Sequence, residues 1–179
     1  LIKRLDTITR RGGTKAVDVI WMTHGMRKGR VGLQRVKQEQ GQLSYVRVNV
    51  KKRLARLIKE RLTDAQRTKL RAFHSTACYG ASALAGWREA GFKVVSGSKG
   101  IYADASVTQK VFLESWAAGK TFGKSIRQAN RAPGATLWDE KLGKMTRFTE
   151  NGHFVDSQRQ VSGAKCIKLN SRPNKRCSK

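Results

Sequence analysis

The chain of 179 residues is long enough to bury a substantial core and fits one domain, alone or with appendages. It holds no run of 18 apolar residues, which excludes an ordinary membrane-spanning helix. With 38 Lys plus Arg against 12 Asp plus Glu, the net charge is +26, so a nucleic acid or another polyanion is a candidate partner; the alternative reading is a solvated basic surface.

Residues 1–10 carry a short apolar stripe, Leu5 and Ile8, consistent with the end of a helix that Gly12-Gly13 breaks. Residues 16–22 (Ala-Val-Asp-Val-Ile-Trp-Met) are apolar at nearly every position except Asp18, which predicts a parallel strand covered on both faces and central in its sheet. The strand runs into Thr23-His24-Gly25. The glycine-punctuated basic stretch 25–42 shows no period and predicts a loop that can hold a hairpin. In 43–50, Val46, Val48 and Val50 alternate with Tyr45, Arg47 and Asn49, the period of a half-buried strand. Spacing then turns helical through Leu54, Leu57, Ile58 and Leu62, with basic residues on the other face and Thr63-Asp64 as a stop or a new cap.

Residues 69–76 predict a second strand, followed by Ala77-Cys78-Tyr79-Gly80. The alanine-rich stretch 80–90 predicts a helix stopped by Gly91, and 92–98 a further strand, so that strand, helix and strand make a βαβ unit. Residues 106–118 and 122–129 predict two helices, separated by Gly119. Gly119-Lys120-Thr121 is not a phosphate loop, because that pattern needs a glycine where Glu114 stands, directly after a strand. Asn151-Gly152 between 145–148 and 153–156 predicts a type I′ hairpin. The remainder is polar and basic, with a strand predicted at 164–169 and a frayed end at 175–179.

Two strand ends therefore deliver an imidazole and a thiol 54 residues apart, the span of one crossover. A thiol is only slightly ionised near neutral pH and gains reactivity from an adjacent imidazole. His74 lies four residues before Cys78, roughly 13 Å along a strand, and is a poor base; His153 sits beside the predicted hairpin. No cysteine spacing matches a zinc pattern, and neither metal nor cofactor is expected. Cys166 and Cys177, 11 positions apart, either pair in an oxidising compartment, secreted or periplasmic, or stay as free thiols.

An apolar block ending in His24-Gly25, followed by another ending in Ala77-Cys78-Tyr79-Gly80, resembles the caspase-like (clan CD) cysteine peptidases, among them clostripain and the separase-like (CHAT) enzymes. The similarity covers residues 16–131, and 116–130 resembles the helix pair after the last core strand of the CHAT enzymes. It implies an α/β fold, a caspase-like three-layer sandwich with a mostly parallel sheet, over 1–157, with 158–179 as a basic C-terminal extension. It also implies a His24–Cys78 dyad that cleaves peptide bonds of a peptide or protein substrate, with the backbone N–H groups of Gly25 and Cys78 binding the oxyanion. In several relatives, the residue two before the nucleophile lines the pocket for the side chain preceding the cleaved bond, and a carboxylate there selects Arg or Lys. Thr76 holds that position here, against strict basic specificity through it. Ser96, Gly97, Ser98 and Asp104 complete the expected pocket, Asp104 either supplying a charge or capping the following helix. The family's sheet has two strands ahead of the His-Gly strand. Only fifteen residues precede Ala16, so an associated N-terminal fragment of the same precursor is an expected partner. The rival readings are a nucleic-acid- or polyanion-binding protein, a peptidase with an anionic activator, and a non-catalytic interaction module with the same fold.

Overall fold

The computed structural model describes residues 1–36, 43–145, 152–175 and 177. Its main sheet has the order β1 (Val17–Trp21), β5 (Leu70–Ser75), β6 (Val94–Ser98), β7 (Arg159–Gly163). The first three strands are parallel, and β7 runs antiparallel to β6. β2 (His24–Met26), β3 (Arg30–Val36) and β4 (Leu43–Asn49) form a separate antiparallel sheet. The helices are α1 (Ile2–Arg10), α2 (Arg56–Arg61), α3 (Asp64–Thr68), α4 (Leu84–Glu89), α5 (Ala105–Ala117), α6 (Phe122–Asn130) and α7 (Leu137–Gly143). Among the described residues no helix is long and apolar enough to cross a membrane.

Consecutive side chains of a strand point to opposite faces, and the two central strands obey this on both sides. Phe73 and Val95 enter one core with Trp87 of α4, Ile58 of α2 and Leu5 of α1. Their neighbours Ala72 and Val94 enter the other with Phe112 and Trp116 of α5 and Phe122 and Ile126 of α6. Phe73 stacks on Trp87 with ring centroids 3.9 Å apart, and Phe112 packs edge-on to Phe122 at 5.3 Å. Helices thus cover both faces of a mixed, mostly parallel sheet, an α/β arrangement compatible with a three-layer sandwich.

Two local expectations are revised and a third is made specific. The strand at 16–22 forms, but β1 lies at the edge of the sheet rather than at its centre, and Ile20 is 44% exposed. Apolar side chains report what covers the faces of a strand; they carry no information about which backbones pair with it. The hairpin allowed for in the basic stretch forms, from β2, which begins at His24, and β3, with Gly32 paired with His24. The strand expected at 164–169 is replaced by turns, and β7 occupies 159–163. The reason is visible at the N-terminus of α6, where the carbonyls of Ile167 and Lys165 accept the Phe122 and Gly123 N–H groups at 2.7 and 2.9 Å. Helix-end donors without partners of their own have claimed that backbone.

Most other elements form as expected, whereas α7 falls where no helix was expected. Helical turn begins at Val50, first as a wide π-turn over Val50–Ala55, and Thr63 opens α3 with a reciprocal capping box to Gln66. Gly91 ends α4 at φ +118° and Gly119 ends α5 at φ +81°, conformations in which glycine is free of the Cβ penalty. The stretch set apart as a C-terminal extension supplies β7 and the fully buried Ile167, and Cys166 and Cys177 form a disulfide. Most of the turn expected at Asn151-Gly152 falls outside the described residues.

Candidate active site at the β1 and β5 ends

β1 and β5 are neighbours in parallel register, Trp21 opposite Ser75, so their chains leave the sheet side by side at the same edge. That edge, beyond the C-terminal ends of parallel strands, is where open α/β sheets bind ligands. The Thr76 N–H donates to the Trp21 carbonyl at 3.0 Å, extending the pairing one residue past the strand. The chain after β1 is then turned into β2, with Thr23 Oγ1 donating to the Gly32 carbonyl at 2.6 Å. The result is direct contact between the two motifs. A methyl group on Gly25 would overlap the Cys78 carbonyl oxygen and stand 2.8 Å from the Cys78 carbonyl carbon and from Ala77 Cβ. Only glycine permits this approach.

His24 is exposed and Cys78 half-buried. The Cys78 sulfur accepts the Tyr102 N–H at 3.5 Å, and burial pushes its thiol pKa up. A raised pKa means a thiol at neutral pH, so this sulfur needs a proton acceptor to react. Cys78 is also the one cysteine outside the disulfide.

The turn that carries Cys78 is held from three sides. Tyr79 adopts the left-handed region at φ +54°, with its N–H on the Gly100 carbonyl at 2.7 Å. Its hydroxyl meets His153 Nδ1 at 3.0 Å and accepts the Phe154 N–H at 3.2 Å, which ties the segment after Gly152 to the thiol turn. Ser98 Oγ donates to the Ala77 and Gly100 carbonyls at 2.9 and 3.1 Å.

The predicted residues divide accordingly. His24, Gly25, Thr76 and Cys78 share one sheet edge. Ser96, Gly97 and Ser98 are buried within β6 and engaged there with the core and with the thiol turn. Ser96 Oγ meets His74 Nδ1 at 2.7 Å, Ser98 supports the thiol turn, and a Cβ on Gly97 would stand 2.7 Å from the Gly80 carbonyl oxygen. Asp104 is fully buried, and its carboxylate accepts the Trp138 and Asp139 N–H groups at 3.0 and 3.1 Å. It caps α7, a different helix from the one expected, and makes no side-chain cap to α5.

His74 is buried between Ser96 and Gln109 and stacked on Phe112. Desolvation, helped by the Arg159 charge, lowers its pKa well below the ordinary imidazole value, so it stays neutral. Sequence reasoning missed Tyr102 and Tyr79. The signal for Tyr102 was topological: the loop after β6 leaves the sheet at the same edge as Cys78. The chain matches no protein-family model, and comparison with curated proteins and with solved structures found no match.

Proposed function

We propose that the chain is a cysteine endopeptidase of caspase-like architecture, with Cys78 as nucleophile and His24 as its acid–base partner. The observation that carries this is the seating of Gly25 against the Cys78 backbone, which joins the two motifs at one sheet edge. Cys78 passes its proton to His24 and its sulfur attacks the scissile carbonyl. As the tetrahedral intermediate collapses, the C–N bond breaks and His24 protonates the leaving amine. Water then attacks the thioester, releasing the acid product and restoring the thiol. Backbone N–H groups of Gly25 and Cys78 stabilise the oxyanion; such donors contribute about 3 kcal/mol each in acyl transfer. An N-terminal fragment of the same precursor docks along β1, which is an edge strand and half-exposed. The disulfide favours an oxidising compartment, secreted or periplasmic.

The net charge of +26 favours a second reading, binding of nucleic acid or another polyanion, either as the main function or as activation of the peptidase. The test is labelling by a thiol-directed peptidyl probe together with cleavage of a peptide library. Cys78→Ala removes both, and His24→Ala lowers the cleavage rate by at least about a hundredfold. Cleavage that survives Cys78→Ala overturns the assignment. Nanomolar oligonucleotide binding at physiological salt, without cleavage, would promote the second reading.

A further inference from the structure

Beside the Cys78 thiol opens a cleft of about 610 Å³ between the end of β1, the Thr76 turn and α5. Tyr102 joins the two: it lines the cleft, and its N–H bonds the Cys78 sulfur. The cleft and the sulfur thus share Tyr102 as a neighbour.

The chemistry of the lining is uneven. Met22, 80% exposed, and Leu113, 37% exposed, present apolar surface to the opening. Three polar groups of the lining are already engaged. Thr76 Oγ1 donates to the Trp21 carbonyl at 3.3 Å, Gln109 Oε1 meets His74 Nε2 at 2.8 Å, and the Tyr102 hydroxyl meets Thr108 Oγ1 at 2.6 Å. Lys110 and Glu114 stand at the rim, both largely in solvent and 3.9 Å from each other. An entering carboxylate or ammonium would lose hydration and find no buried counter-charge in this lining. An apolar side chain would cover Met22 and Leu113 and leave those hydrogen bonds intact.

We propose that this cleft selects an apolar side chain, of the size of Leu, Met or Phe, on the substrate residue that precedes the scissile bond. The assignment rests on the cysteine-peptidase reading. It is tested with peptidyl acyloxymethyl ketone probes that differ only in the residue next to the reactive ketone: Leu, Phe, Asp or Arg. Leu and Phe probes are expected to label Cys78 at least about tenfold faster than Asp or Arg probes. Leu113→Asp, at a partly exposed site, is expected to shrink that ratio to within about threefold, with a thermal melt checking that the variant is folded; Met22→Asp is the second variant. Faster labelling by the Arg or the Asp probe overturns the apolar assignment and leaves the peptidase reading standing. Absence of labelling by all four probes, while iodoacetamide still alkylates Cys78, overturns both.

Discussion

Gly25 and Cys78 meet backbone to backbone, and the physical question at that scale is how little room is left. A Cβ at Gly25 has nowhere to go, because the atoms it would strike, the Cys78 carbonyl and Ala77 Cβ, are fixed by the main chain and cannot rotate away. Gly25→Ala is expected to destabilise the fold by about 3 kcal/mol and to separate the two motifs. Probe labelling of Cys78 should fall by at least about tenfold, with a lower unfolding midpoint. Gly12→Ala, where nothing lies within 4 Å, is the control and is expected to stay within about 0.5 kcal/mol of the parent. A Gly25→Ala protein that melts and labels like the parent would remove close approach as the reason for glycine. His24 and Cys78 were readable as a pair because each ends an apolar run. The roles of Ser96, Ser98 and Asp104 were not, since a buried hydroxyl or carboxylate looks the same in sequence whichever backbone it serves.

At the scale of elements, one carboxylate joins three helices. Asp6 of α1 accepts Arg10 Nε at 2.7 Å and Gln66 Nε2 at 3.0 Å on one oxygen, and Arg61 Nε at 3.0 Å on the other. The hydrogen bonds of Arg10, foremost, and Gln66, with the charges of Arg10 and Arg61, lower the Asp6 pKa to about 2. A carboxyl group whose folded value lies below its unfolded value contributes stability above the unfolded pKa, and loses it as pH falls through the folded one. Melting temperature is therefore expected to drop between about pH 4 and pH 2, and Asp6→Asn should flatten that part of the profile while lowering stability at neutral pH. Parallel profiles for the two proteins would mean that Asp6 does not report the α1–α2–α3 junction. The capping box at Thr63 was legible, because it is local. The Asp6 junction was not, because its partner Gln66 is sixty residues away.

For the molecule as a whole, the C-terminal segment closes the second core. β7 pairs with β6, Ile167 is buried against α6, and the disulfide ties Cys166 to Cys177 eleven residues on. Opening that loop with Cys177→Ser is expected to cost about 2–3 kcal/mol, read as a shift in the denaturant midpoint at unchanged slope. Dithiothreitol added to the parent should reproduce the shift, and an unchanged midpoint would show that the segment is held by packing alone. The high net charge acts at this same scale as a long-range field, favouring anionic partners without choosing among them.

The amino-acid sequence alone determined the α/β character, the βαβ unit around Cys78, most helix limits and the two residues of the candidate dyad. These follow from periodicity, glycine stops and chain spacing, which are properties of neighbours. Only the tertiary structure decided that β1 is an edge strand, that 159–163 rather than 164–169 completes the sheet, and that Tyr102 bonds the thiol. Each depends on backbone hydrogen bonds between residues far apart, and a backbone donor or acceptor is present at nearly every position, whatever the side chain.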